Sequence, residues 1–280
     1  MNIFRMDNLN YKTRVMLSFI ANTDFIYSKI KDLSLSIKHN QKIPNVVYQT
    51  TKSRWLPKKF IRDIEKFRSQ NPDFNFIVFD QKSMTNWMKL NYRNELILEA
   101  YLSSKFGVMQ SDIFKYCYGY KEGGISIDIS KFLSKPLNKV FPDLNYTMIL
   151  SQQSGKIDTN KIIETEYLNL NLHGALLINW CFATSANNPM LLSVIRHIEH
   201  CFSKSQGQTF KEPKIAIWEN TGPVAFNRGL LNYFEAKIPK CVYISEIDFG
   251  ENEWPKFKSA NLVNVFNKHY TEHKNSKIFT

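Results

Sequence analysis

Apolar and polar positions recur at two different periods along this chain, and the switches between them mark its elements. Within residues 1–40, YKTRVMLSFIANTDFIYSKIKDLSLSIKH places apolar residues at helical spacing and fills the remaining positions with Lys and Arg. It predicts an N-terminal amphipathic helical segment, either packed on the rest of the protein or lying on an anionic membrane. IPNVVYQT (43–50) and FNFIVFD (74–80) are short β-branched and aromatic runs, so they predict strands. Between them LPKKFIRDIEKFRSQNP has helical periodicity and stops at Pro72. Helical patterns follow from about 83 to 121 and end at Gly123-Gly124. Further strands are predicted at ISIDI, at YTMILSQQ (146–153), at the nearly all-apolar GALLINWCFATS (174–185) and at CVYISEIDF. Asn188-Pro189 opens a helix through about 202, and ENTGP precedes another reaching Phe234. SGKIDTNKIIETE reads as a surface loop and NVFNKHYTEHKNSKIFT as a polar, basic, solvated tail.

Strands alternating with helices place the chain in the α/β class, with a mainly parallel sheet flanked by helices. No repeat or linker divides it. The expected organisation is one domain over residues 41–280 with the helical segment 1–40 appended. A chain of 280 residues with 43% hydrophobic residues can bury a large core, which excludes general disorder. The net charge of +12 favours acidic partners: nucleic acid, an anionic membrane or a phosphate-bearing substrate. The basic residues are spread rather than striped and no nucleic-acid-binding signature is present, so nucleic acid is the weakest of the three. The cysteines, Cys117, Cys181, Cys201 and Cys241, contain no CxxC pair, and free thiols are expected. No run approaches the roughly 20 apolar residues of a membrane span, and the first residues lack signal-peptide character. The expected location is the cytoplasm, with peripheral contact at the inner face of the cytoplasmic membrane.

The chemistry concentrates in SDIFKYCYGYKEGGISIDIS, Ser111 to Ser130. A helix ends on two glycines, and the strand that follows carries Asp128 at its tip. In open α/β sheets ligands sit beyond the carboxyl ends of strands. On the preceding helix Asp112 and Lys115 are three residues apart and share a face. Two acceptors and a cation suit a ligand with sugar hydroxyls and phosphates. Elsewhere, Asn179 is a polar residue in an apolar strand and needs partners. Glu219 stands before a helix start, where it either activates an acceptor hydroxyl or acts as a local carboxylate. Trp180 reads as core. Trp55 reads either as a stacking platform or as a surface aromatic. His269 and His273, four apart, read as part of the solvated tail.

The same segment resembles the SDxxRxxxLxxxGGxYxDxD stretch of the DXD-containing sugar transferases, a group that includes glycosyltransferase family 32 and bacterial capsular-polysaccharide synthesis proteins. IPNVVYQTTKSRWLP, NPDFNFIVFD, INWCFATSANNPML, TGP (221–223) and VNVFNK (263–268) resemble other pieces of that family, in the family's order. The resemblance implies a GT-A fold and transfer of a sugar, such as the hexose of a UDP-hexose, with retention at the anomeric carbon. The implied acceptor is an oligosaccharide or lipid-linked saccharide in capsular polysaccharide or lipopolysaccharide biosynthesis. By position it gives Asp112, Lys115, Asp128, Gly124, Ser130, Asn179 and Lys268 donor contacts. Gln49 and Thr50 would line the nucleobase pocket. Asp128, Asp112 and Glu219 are the catalytic candidates, and Asp128, Ser130 and Asn264 the metal candidates.

Several residues depart from the pattern. Ser130 replaces the second DXD aspartate, Lys115 the usual Arg, Tyr48 a His, Thr51 a Trp, and Asn264 a late His. A hydroxyl is a poor substitute for a carboxylate on Mn²⁺ or Mg²⁺. Three alternatives follow: a metal held weakly by Asp128, Ser130 and the diphosphate; metal-independent neutralisation by cations such as Lys52, Lys131 and Lys268; or a protein that binds sugar nucleotides without turning them over.

Overall fold

A computed structural model describes residues 27–33, 41–131, 133, 135–151, 176–234, 238–245 and 270–280. The chain runs β1 (Tyr27–Lys29), β2 (Val46–Thr50), β3 (Trp55–Pro57), α1 (Lys58–Ser69), β4 (Asn75–Phe79), α2 (Gln81–Asn91), α3 (Leu96–Ser103) and α4 (Gly107–Glu122). It continues through β5 (Gly124–Ile127), α5 (Leu137–Val140), β6 (Met148–Ser151), β7 (Cys181–Thr184), α6 (Pro189–Ser205) and β8 (Thr209–Phe210). The last elements are α7 (Pro213–Asn220), α8 (Pro223–Phe234), β9 (Val242–Ser245), a 3-10 turn (Tyr270–Glu272) and β10 (Ser276–Lys277).

The central sheet has six strands in the order β4-β2-β5-β7-β6-β9. Neighbours pair in parallel except β7, which is antiparallel to both β5 and β6. The sheet is therefore mainly parallel and flanked by helices, as the alternating pattern predicts. Successive side chains point to opposite faces. Val47, Ile125, Ile149 and Ala183 face a core formed with Phe60, Ile64 and Phe67 of α1 and Leu137 of α5. Tyr48, Met148, Leu150 and Phe182 face a second core shared with α2, α3, α4, α6 and α8. Helix α1 has an apolar stripe that fits this arrangement. By contrast, Asp112 through Gly119 of α4 are buried without a break, so that helix lies inside the second layer.

Local chemistry sets several boundaries. Asp80 accepts a hydrogen bond from the Ser83 amide while the Ser83 hydroxyl accepts one from the Asp80 amide, closing a capping box on α2. Asn188 caps α6 by accepting from the Met190 amide, with Pro189 at the first helical position. Gly123 and Gly124 turn α4 into β5 at φ +71° and +109°. A Cβ on Gly124 would come within 2.7 Å of the Val46 carbonyl oxygen, and one on Gly123 within 2.7 Å of the Ala186 amide nitrogen.

Three expectations change. Tyr27–Lys29, where the helical period continues, is a strand paired with Trp55–Pro57, and Leu33 bridges to Phe76 on the sheet edge. The expected helix otherwise lies outside the described residues, as does the loop at 154–166. Of the described residues 176–185, Cys181–Thr184 form a strand, after a bend at Asn179-Trp180. The described part of the C-terminal tail is docked at its end rather than solvated throughout: Glu272, Lys274 and Asn275 are exposed, but β10 pairs with β8, and Ile278 and Phe279 are fully buried, with Phe279 edge-on to Phe202. Two apolar residues in a polar segment suffice to dock it.

Candidate active site

The reversed strand explains how the site is assembled. Because β7 runs against β5, Ile127 pairs with Cys181, and the residues entering β7 meet those leaving β5 in the middle of the sheet, at the carboxyl end of β5. The Asp128 amide donates to the Trp180 carbonyl at 2.9 Å, and the Lys131 amide to the Asp128 carbonyl at 2.8 Å. Helix α4 folds back along the sheet to the same place. From Gly123 back to Lys115 is about 12 Å of helix, and from Gly124 forward to Asp128 about 13 Å of strand. Matching lengths put the two side chains together.

Lys115 Nζ lies 2.7 Å from Asp112 Oδ1 and 3.5 Å from Asp128 Oδ1. The lysine is buried with Asp112, whereas the Asp128 side chain is 36% exposed and forms the open side of the cluster. Asn179 donates to Asp112 at 3.4 Å and to the Tyr116 hydroxyl at 3.0 Å. Tyr116 stacks on Phe226, with ring centroids 5.3 Å apart, which fixes the ring that holds Asn179. The Tyr48 hydroxyl donates to the Lys115 carbonyl at 3.0 Å, tying α4 to the middle of β2. At the end of β2 the hydroxyls of Thr50 and Ser111 are hydrogen-bonded. Burial pushes the Asp112 carboxyl up to about 6, against the pull of Lys115. Lys115 is held protonated because Asp112 and Asp128 outweigh its own burial. The cluster thus sets one ammonium between two aspartates, able to accept from sugar hydroxyls through the carboxyl oxygens and to hold positive charge near a phosphate.

Asp112, Lys115, Asp128 and Asn179 are brought together, and Ser130 and Lys131 follow Asp128 directly. Lys131 Nζ lies over the Trp180 ring, 5.4 Å from its centroid. Gln49 faces the other side of β2 from Thr50. It is 1% exposed, and neither atom of its amide has a hydrogen-bond partner. Two expectations need correction. Gly124 begins β5, the opposite end from Asp128, and its need for glycine comes from the packing described above. Glu219 sits on α7 with its backbone carbonyl accepting from the Cys201 thiol at 3.8 Å, and its charge adds to burial in raising that thiol's pKa. Among the other candidates, Lys52 and Trp55 are exposed, and the His273 ring packs edge-on to Phe106. Lys268, Asn264 and His269 lie outside the described residues.

Two residues were not legible as site members. Tyr116 looks like one more aromatic in a buried helix. Burial raises the Tyr270 hydroxyl pKa, a hydrogen bond with Trp218 opposes the shift, and Asp112 and Asp128 add to it. The metal candidates make a thin donor set. Asp128 offers a carboxylate and Ser130 a hydroxyl, and no group of three His, Cys, Asp or Glu suited to a metal occurs among the described residues. The described residues do not by themselves fit a bound Mn²⁺ or Mg²⁺.

Residues 57–147 match the family model of the glycosyltransferase sugar-binding region containing the DXD motif. The chain resembles the DXD-type glycosyltransferases. The matched segment contains Asp112, Lys115, Asp128 and Ser130, while Gln49, Thr50 and Asn179 lie outside it. The chain is 22% identical over 218 residues to inositol phosphoceramide mannosyltransferase 3 of Schizosaccharomyces pombe, covering 77% of this chain and 50% of that protein. It is 21% identical over 244 residues to the initiation-specific alpha-1,6-mannosyltransferase of the same yeast, covering 80% of this chain and 59% of that protein. It thus spans about half the length of these curated relatives. Among solved structures, the PaToxG glycosyltransferase aligns over 80% of this chain and 78% of its own, with 13% identity and a TM-score of 0.49.

Proposed function

We propose that this protein is a glycosyltransferase that moves a hexosyl group from a nucleotide sugar to a saccharide or glycolipid acceptor, with retention. The observation that carries the reading is the Asp112–Lys115–Asp128 cluster at the exit of β5. It lies inside the segment that matches the DXD sugar-binding region. In this reading Asp128 and Asp112 accept from donor hydroxyls. Lys115 holds both carboxylates in place, and the cations beside Asp128 stabilise charge that develops on the departing diphosphate. Thr50, held by Ser111 at the end of β2, lines the nucleobase side, Gln49 stands behind it on the buried face of β2, and Ser130, Asn179 and Lys268 complete the donor contacts. Residues 41–280 form the transferase unit, and the end of segment 1–40 is tied to it through β1.

The acceptor class follows two lines. The resemblance to capsular-polysaccharide proteins points to bacterial surface polysaccharide or lipopolysaccharide synthesis at the inner membrane face. The relatives named above are yeast mannosyltransferases, one named for inositol phosphoceramide. Mannose therefore joins UDP-linked hexoses in the donor panel, and lipid-linked and free saccharides in the acceptor panel. The test is donor hydrolysis and transfer across UDP- and GDP-hexoses, repeated with Asp128→Ala. We expect the variant to lose a thousandfold or so in kcat/KM, about 4 kcal/mol of transition-state stabilisation, with its melting temperature nearly unchanged. Turnover by the variant at the wild-type rate would remove Asp128 from the site.

Ser130 in the second DXD position favours a second reading, a sugar-nucleotide binder without turnover. Melting shifts with UDP or GDP in the absence of hydrolysis of any donor would support it. Turnover that survives EDTA would instead support metal-independent transfer.

A further inference from the structure

A cavity of about 760 Å³ lies between residues 28–33 and helix α1, with none of the cluster residues Asp112, Lys115 and Asp128 in its lining. It sits at the far edge of the sheet, where Leu33 bridges to β4. Its volume is in the range of small-molecule sites. Among the described residues lining it are five cations, Lys29, Lys31, Lys58, Arg62 and Arg68, against two carboxylates, Asp32 and Glu65. Asp32 is already occupied. It pairs with Arg54 at 3.0 Å and accepts from the Val78 amide at 2.8 Å. Among the described lining residues the balance is positive, and Arg62 has a partner of its own.

Arg68 stands on the inner wall. It is 7% exposed, donates through Nη1 to the Lys31 carbonyl at 2.6 Å and lies over the Phe76 ring. Its Nε and Nη2 are buried with no hydrogen-bond partner. A guanidinium with unmatched N–H groups is costly to bury, and an anion is the partner that satisfies it best. The rest of the lining includes Ile30, Leu33, Ile61 and Pro72, so the cavity has apolar walls under a cationic rim. Beside the rim, Trp55 is 59% exposed and pairs across the β1–β3 ribbon with Lys29. An exposed indole among lysines is the composition of a membrane–water interface.

We propose that this cavity binds the phosphate-bearing head of an anionic lipid, with Arg68 and the rim lysines on the phosphate, the upper acyl region against Ile61 and Leu33, and Trp55 at the bilayer surface. The site would hold the protein at a membrane independently of the sugar chemistry at Asp128.

The test is sedimentation of the full chain with vesicles of phosphatidylcholine, alone or carrying a fifth phosphatidylglycerol or phosphatidic acid. A parallel arm measures melting shifts with glycerol 3-phosphate and inorganic phosphate. We expect partitioning only to the anionic vesicles. Lys58→Glu with Arg62→Glu should lower it about tenfold or more, since each basic residue at an anionic surface contributes on the order of 1 kcal/mol. Lys82→Glu with Lys89→Glu, the same charge change on α2 across the sheet, should lower it twofold or less. Equal losses in the two double variants would overturn the proposal, because attraction would then follow net charge alone. So would a melting shift with soluble phosphates and no preference for anionic vesicles. Hydrogen exchange slowed by anionic vesicles across 28–33 and 58–72, in a protein with unaltered Arg68, would support the cavity itself. Protection confined to other regions would overturn it.

Discussion

Gly124 and Asp128, at the two ends of β5, are about 13 Å apart and obey different rules. At its start, Gly123 and Gly124 are pressed against backbone atoms of Val46, Thr184 and Ala186, and only glycine fits. At its exit Asp128 faces a buried lysine and a second aspartate, with a third of its side chain open to solvent. The first end specifies the fold and touches no charged group. The second end places one ammonium and two carboxylates where an apolar pair would pack more cheaply. Four residues of strand separate a site chosen for packing from one chosen for chemistry. The difference predicts that substitutions at the start will be read in stability and those at the exit in ligand binding.

Lys115 is where this contrast is most exposed to test, because it belongs to the chemical end yet is as buried as the core. Lys115→Met leaves Asp112 buried without its cation, which should cost about 3–5 kcal/mol at neutral pH. The loss should shrink at pH 5, where the Asp112 carboxyl can take up a proton instead. Urea denaturation at pH 7.5 and pH 5 measures both. A pH-independent loss would mean that the methionine is simply a poor fit and that the ion pair contributes little.

Gly124→Ala tests the other end. At φ +109° an L residue is strained, and its Cβ meets the Val46 carbonyl. We expect a loss of about 2–3 kcal/mol, with the affinity of the folded fraction for nucleotide diphosphate unchanged within twofold. Titration calorimetry on protein kept below its unfolding transition makes the measurement. A fall in affinity without a fall in stability would move Gly124 into the donor site and erase the distinction between the ends.

How much of this was readable in the sequence depends on whether a spacing converts directly into distance. Asp112, Lys115 and Asp128 were legible because one helix and one strand separate them, and the rises of those elements are fixed. Asn179 was legible as a polar residue that had to find partners. Tyr116 was not, since an aromatic among Phe114, Tyr118 and Cys117 carries no sign of a polar duty. Tyr270 feels the two aspartates from a distant part of the chain, which no local pattern encodes. The direction of β7 was equally hidden: a run of apolar residues has a period and no polarity. Yet that reversal brings Asn179 and Trp180 to the exit of β5. The β1–β3 ribbon has three residues per strand, too few to show alternation against a helical background.

Acid pH separates the two ends without any substitution. The Asp112 carboxyl is raised to about 6, above its ordinary value near 3.8, and burial is the main cause. The sign of the linkage follows from that order. Between pH 6 and pH 4 the folded protein takes up this proton before the unfolded chain does, so acidification through this group favours the fold. Its charge-assisted acceptance from a donor hydroxyl gives way over the same range to the weaker bond of a neutral carboxyl. Donor affinity should therefore fall about tenfold from pH 7 to pH 5, roughly 1.4 kcal/mol, while this group withdraws no stability. Asp112→Asn should flatten that limb at a lower plateau affinity. If affinity and melting temperature instead drop together in wild type, and the Asn variant keeps the limb, then the acid sensitivity belongs to the fold and Asp112 is a packing residue like the glycines at the far end of β5.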